Sequence, residues 1–327
     1  MMAAHFKKKS PFDPPFSKGE ILNLPPGEQR ARCLSSAGNP ERLRIQRRRG
    51  FFTDCRNIFA VLFALCSFAL CALHFAAEAA DRELRVCADP NNLPFSNERG
   101  EGFENKIASL IARDLDAHLT YTWWAQRRGF VRSTLRDGLC DLVIGVPAGY
   151  DPMLTTRPYY RSTYVFVTRE DKQLAIVSLD DPRLRTMRVG VHLIGNDGFN
   201  VPPAHALARR GIVSNVIGYT IYGDYSEPNP PARLIDAVAS GAIDVAIAWG
   251  PLAGYFAPHE PIPLKITAVS PALDPPALRM TFAIAMGVRK GDSGFRDELN
   301  QLLDRRQKDV VSILDSYRVP RVEETQR

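Results

Sequence analysis

The chain has 327 residues, 45% of them hydrophobic, and a formal net charge of +6, long enough for one large domain or two of roughly 100–200 residues each. Its charge is uneven: residues 1–80 hold 12 Lys and Arg against 6 Asp and Glu, whereas residues 81–327 hold 30 of each sign. A neutral body excludes nucleic-acid binding, which needs a concentrated basic face.

The N-terminal surplus reads as a targeting device. Arg47-Arg48-Arg49-Gly50-Phe51-Phe52 precedes an apolar run, Ile58–Phe75, and Ala77-Glu78-Ala79 follows as a small-x-small site. These are the three parts of an export signal. Residues 1–79 are therefore expected to be an N-terminal extension and signal peptide, with cleavage near Ala79 and a periplasmic mature protein. The apolar run is also long enough for an uncleaved anchor. Of the six cysteines only Cys87 and Cys140 belong to the mature body. An even pair in an oxidising compartment suits a disulfide, and two buried thiols in neighbouring strands are the alternative.

Strands alternate with amphipathic helices from Leu84 onward, the pattern of a mostly parallel sheet. The strand LRVCA (84–88) breaks into Asp89-Pro90-Asn91-Asn92-Leu93-Pro94-Phe95. A helix then opens at Gly102, with Phe103, Ile107, Leu110, Ile111 and Leu115 on one face. Leu119–Trp124 reads as a strand ending in Gln126-Arg127-Arg128-Gly129-Phe130, and a helix over 130–137 stops at Gly138. The strand at 141–146 breaks into Pro147-Ala148-Gly149-Tyr150-Asp151. After Tyr159-Tyr160, a short strand at 164–168 crosses into a second lobe. That lobe repeats the pattern: strand 188–192, turn Gly195-Asn196-Asp197-Gly198, helix 203–210, strand 215–221, helix 231–240, strands 243–249 and 264–269. A strand at 282–288 returns to the first lobe, and helices near 294–307 and 309–317 close the chain. Lobe 1 is thus assigned residues 80–169 and 277–327, and lobe 2 residues 170–276.

Strand ends of this kind face a ligand crevice in open α/β sheets. Asn91, Asn92 and Phe95 are candidate lining residues there, although Asn and Pro are also plain turn formers. Gln126, Arg127, Arg128 and Phe130 form a candidate cationic rim for an anion or a partner's acidic patch; the Arg pair could equally serve the loop 97–101. Asn196 and Asp197 sit where backbone N–H groups at a helix start could hold an anion, or in an ordinary turn. The histidines are scattered without metal-ligand spacing, and no nucleophile motif or Gly-rich phosphate loop occurs. No metal and no cofactor are expected.

The segments LRVCADPNNLPF, GFENKIASLIARDL, GLCDLVIGV, RPYYRSTYVFV, MRVGVHLIGNDG, LIDAVASGAIDVAIAW and MTFAIAMGVRKGD resemble the type II periplasmic solute-binding proteins over about residues 82–320. WWAQRRGFVRSTL, CADPNNLPFSN and AIAWGPLAGYFA are similar to one branch, the binding-protein-like companions of pyrroloquinoline-quinone (PQQ) dehydrogenases, whose best-known members accompany methanol dehydrogenase and its cytochrome. The resemblance implies a two-lobed α/β fold, each lobe a mostly parallel sheet flanked by helices, with a hinge of two crossings. It also places Tyr159, Trp249 and Tyr255 at the cleft. Amino-acid binders of the superfamily usually carry an Arg after the third strand and an Asp after the last strand of lobe 2. Here those places hold Pro147–Pro152 and Trp249-Gly250-Pro251, so a zwitterionic amino acid lacks both clamps.

The resemblance therefore implies a non-enzymatic accessory protein whose partner is a quinoprotein dehydrogenase or its cytochrome. The alternative is a transport receptor for an uncharged or aromatic solute. An enzyme of the dehydratase type would need a general acid and a carboxylate clamp in the cleft, and the segments assigned to the cleft supply neither.

Overall fold

The computed structural model describes residues 82–193, 200–222 and 225–323, all within the compact unit Leu70–Arg327. The export signal and the turn bearing Asn196 and Asp197 lie outside the described residues.

The first lobe begins with β1 (Arg82–Ala88), α1 (Phe103–Asp114), β2 (Ala117–Trp123) and β3 (Val143–Pro147). β1 and β2 pair in parallel from Arg82↔Ala117 to Ala88↔Trp123. On its other edge β1 meets the entry to β3 through a parallel Val86↔Leu142 bridge. Here the Cys87 N–H donates to the Leu142 carbonyl at 2.8 Å. This puts Cys87 and Cys140 side by side, 5.5 Å apart at Cα, and they form a disulfide. Both are buried with Phe130, Leu135 and Met153.

Helix α1 forms because its apolar residues recur on one face and because its start is capped. Asn105 Oδ1 accepts from the Gly102 N–H at 3.1 Å and from the Asn97 N–H at 3.0 Å, satisfying donors a helix start leaves open. Phe103, Ile107 and Ile111 are fully buried against the sheet, each worth roughly 1.5–3 kcal/mol. The segment expected as a helix over 130–137 is helical at 130–136, with Arg132–Arg136 wound as a π-helix.

The next strand, β4 (Tyr160–Arg169), is twice the length expected and belongs to both lobes. The second lobe adds β5 (Val189–Leu193), α2 (Pro202–Arg209), β6 (Val216–Thr220), α3 (Arg233–Ala239), β7 (Val245–Trp249), α4 (Gly250–Phe256) and β8 (Leu264–Ala268). β9 (Thr281–Val288) returns to lobe 1, followed by α5 (Ser293–Arg305) and α6 (Gln307–Ser316). Tyr160–Thr163 of β4 pair antiparallel with β9, whereas Tyr164–Thr168 pair with β7 and Val165–Arg169 with β8. The chain thus changes its strand partners between Thr163 and Tyr164, inside a continuous strand.

Each lobe is consequently a mixed five-strand layer. In lobe 1 the order is β2-β1-β3-β9-β4, and in lobe 2 β6-β5-β7-β4-β8. Three parallel strands on one side of each sheet are followed by two antiparallel pairings, so the fourth strand alone runs opposite to the rest. The two crossings meet at Tyr164, whose N–H donates to the Met280 carbonyl at 2.9 Å and whose carbonyl accepts from the Val269 N–H at 3.0 Å. The C-terminal tail straps over them: Ser162 Oγ donates to the Pro320 carbonyl at 2.6 Å. It packs so closely on α4 that a Cβ at Gly254 would overlap the Arg318 carbonyl.

Candidate functional site: the cleft between the lobes

Where the strand ends of the two sheets face each other, Asp89 organises the lobe 1 side. This buried carboxylate accepts from the Asn91 N–H at 2.9 Å and from the Gln126 N–H at 2.7 Å. It thereby holds the exits of β1 and β2 together. Asn92 Nδ2 then donates to Gln126 Oε1 at 3.1 Å, while Asn92 Oδ1 is buried with no partner. Asn91 Nδ2 reaches across to lobe 2 and donates to the Glu227 carbonyl at 2.8 Å.

The space beyond divides into two. The outer part is a groove of 760 Å³ at the mouth, lined by Asn91, Trp123, Trp124 and Arg127 of lobe 1 and by residues 225–229 of lobe 2. Trp124 and Tyr225 are 45% and 51% exposed there. The inner part is a cavity of 250 Å³ walled by Phe95, Tyr160, Tyr164, Tyr222, Trp249 and Phe282, with Glu104, Gln126 and His192 as its polar members. Trp249 stands edge-on to Tyr164 and Phe282, with ring centroids at 5.3 and 6.0 Å. It packs against the cores of both lobes.

Glu104 lies in the first turn of α1 and is 8% exposed. Its Oε1 occupies the place a side chain at residue 145 would need, which is why β3 carries Gly145 there. Among the described residues its carboxyl has no hydrogen bond or ion pair. Burial pushes its pKa up to about 8, because removal from water disfavours the charged form. The same desolvation raises the phenols of Tyr160, Tyr164 and Tyr222 and keeps them neutral. His192 is held down at about 4 by burial, against a hydrogen bond to the Pro231 backbone, and its Nε2 has no partner. At neutral pH the described lining of the cavity is therefore aromatic and largely uncharged, and none of those residues is Lys or Arg.

The structure sorts the residues singled out in the sequence. Phe95, Gln126 and Trp249 line the inner cavity; Asn91 and Arg127 line the outer groove; Asn92 joins the two through Gln126. Arg128 is exposed and lines neither space. Three residues lie elsewhere. Phe130 is 5% exposed in the core around the disulfide. Tyr159 points away from the cleft and donates to the Ile144 carbonyl at 3.1 Å, so its neighbour Tyr160 is the cavity residue; a one-residue shift along a strand changes face. Tyr255 stacks on Tyr317 of the tail at 5.7 Å. Glu104, Tyr164, His192 and Tyr222 were not among the residues assigned to the cleft from the sequence, and Glu104 places a buried carboxyl there. The available signal was Gly145, since an isolated glycine in an apolar strand marks a close approach. Among the described residues no cluster of three or more His, Cys, Asp or Glu could hold a metal, and no helix is long and apolar enough to cross a membrane.

Two mixed α/β lobes joined by paired crossings, with a ligand-sized space between facing strand ends, define a bilobed binding protein. The chain belongs to the bacterial extracellular solute-binding proteins, family 3, whose model matches residues 84–317. It is 34% identical over 278 residues to Protein MoxJ of Methylorubrum extorquens, covering 79% of this chain and 90% of that protein. Among solved structures it is similar to the periplasmic binding protein XoxJ of Methylobacterium extorquens AM1, at 37% identity and a TM-score of 0.60, over 74% of this chain and all of that one. It is also similar to MxaJ of Methlophaga aminisulfidivorans MPT, at 27% identity and a TM-score of 0.64, over 73% of this chain and all of that one.

Proposed function

We propose that this protein is an exported, periplasmic, non-enzymatic accessory factor that binds a PQQ-dependent alcohol dehydrogenase of the methanol-oxidising type, or its cytochrome, and assists the enzyme's maturation or activation. The observation that carries this reading is the likeness to MoxJ along 79% of the chain, in a cleft whose inner walls offer no cation to hold an amino-acid carboxylate. The outer groove suits a protein partner. It combines exposed Trp124 and Tyr225 with Arg127, and aromatic residues and Arg are the side chains enriched where proteins meet.

Affinity capture from a periplasmic extract with the mature protein as bait tests this. Recovery of a quinoprotein dehydrogenase or its cytochrome is expected. Recovery of membrane transport components in their place would favour a transport receptor, with the lobes closing on a solute by a hinge motion at Tyr164.

A further inference from the structure

The inner cavity carries a second conclusion that is independent of any protein partner. Its volume, 250 Å³, lies just below the range of roughly 300–1,000 Å³ typical of small-molecule sites, so an occupant must be small. Six aromatic side chains wall it. Aromatic faces attract cations through the negative face of the ring, most strongly when water is excluded. Among the described residues Glu104 is the one carboxyl in the lining and is nine-tenths buried without a counterion. Such a group stays neutral until an opposite charge arrives. Neither Lys nor Arg lines the cavity, so nothing there repels a cation and nothing clamps a carboxylate.

His192 adds a direction. Its other ring nitrogen is taken by the Pro231 backbone, and a backbone carbonyl can only accept, so Nδ1 carries the hydrogen. The free Nε2 is then an acceptor on the lobe 2 wall of the cavity, across from Glu104 on lobe 1.

We propose that the inner cavity binds a small organic cation of the alkylammonium class, with its charged head between Glu104 and the aromatic walls and a hydroxyl or N–H donating to His192 Nε2. Such a ligand would touch both lobes and hold them together. On binding, Glu104 gives up its proton to solvent and becomes the ligand's counterion. The titratable groups near enough to sense the Glu104 charge are the phenols of Tyr121, Tyr159, Tyr160 and Tyr222, with His192 in the same cavity. All are neutral at pH 7, so the released proton comes from Glu104.

Titration calorimetry of the mature protein with choline, tetramethylammonium, and 3,3-dimethyl-1-butanol (the uncharged isostere of choline) tests this, with L-arginine as a carboxylate-bearing control. Choline is expected to bind with a Kd below about 1 mM, tetramethylammonium more weakly, and the isostere and arginine at least tenfold more weakly than choline. Repeating the choline titration at pH 6.5 in buffers of different ionisation enthalpy should show release of about one proton. Glu104→Gln should abolish that release and weaken choline at least tenfold while keeping the fold, and Trp249→Leu provides a second loss of binding that leaves the acid in place. Equal binding of choline and its isostere, no binding of either cation, or unchanged choline affinity in Glu104→Gln would overturn the proposal. None of these outcomes depends on whether a dehydrogenase is captured.

Discussion

The two spaces between the lobes differ in kind although one loop, Asp89–Asn97, borders both. The outer groove is wide and lined by charge, with Glu98, Arg99, Arg127 and Glu227 among its walls. The inner cavity is a third of its volume, and among the described residues its lining has no Lys or Arg and a single carboxyl, the largely protonated Glu104. A protein surface can be recognised across the first, where charges keep their hydration and exposed rings offer area. Only a small, dehydrated molecule fits the second. A binding-protein scaffold can thus serve a macromolecular partner at its mouth and a small ligand inside, with the Asn91–Glu227 contact marking the border.

The largest way to disturb both spaces at once is through the disulfide, which pins the strand that delivers their shared loop. Breaking Cys87–Cys140, which spans 53 residues, removes about 4 kcal/mol by the loop-entropy relation. Cys87→Ser with Cys140→Ser should lower the urea midpoint accordingly. A change under about 1 kcal/mol would mean that the loop is held by Asp89 alone.

Trp249→Ala removes a ring shared by both cores and should cost about 3 kcal/mol, while Arg127→Ala in the groove should stay within about 0.5 kcal/mol. Chemical denaturation of the two variants side by side checks whether the inner cavity is structural and the outer groove is not. Comparable losses would erase that distinction.

The pH dependence of stability isolates Glu104. Its folded pKa, about 8, lies above the ordinary carboxyl value, so the folded state holds a proton the unfolded state has lost. Stability from this group is complete below about pH 4.5 and declines as pH rises to 8. His192, held at about 4, acts in the opposite sense: its contribution is present above its unfolded value, near 6.5, and is lost as pH falls toward 4. Between about 4.5 and 6.5 the two nearly cancel. From 6.5 to 8 the Glu104 decline is unopposed, roughly 1.4 kcal/mol per pH unit, or about 2 kcal/mol in all. Glu104→Gln should remove this decline in urea titrations at pH 6.5 and 8. Glu260, raised to about 7 by burial and by neighbouring Asp236, is common to both proteins and drops out of the difference. A variant that declines as steeply as the parent would contradict the buried-acid assignment.

Much of this architecture was legible in the residues. Apolar periodicity located α1 and the strands within a few positions, because a helix stripe and a strand alternation are local signals. What escaped was tertiary. β4 reads as a short strand since its first half, Tyr160–Thr163, carries polar Arg161, Ser162 and Thr163, whose burial depends on β9 and the C-terminal tail. Glu104 looks like an ordinary acid favouring a helix start, and only the approach of Gly145 shows that its carboxyl packs against β3 instead of lying on the surface. Tyr159 and Tyr160 cannot be told apart without knowing which face of β4 meets lobe 2.

The division between mouth and cavity is tested most directly by capturing the dehydrogenase with three baits: the parent protein, Trp124→Ala with Arg127→Ala, and Glu104→Gln. The account predicts that the parent and Glu104→Gln retain the dehydrogenase or its cytochrome and that the groove variant loses it. Retention by the groove variant with loss by Glu104→Gln would contradict it.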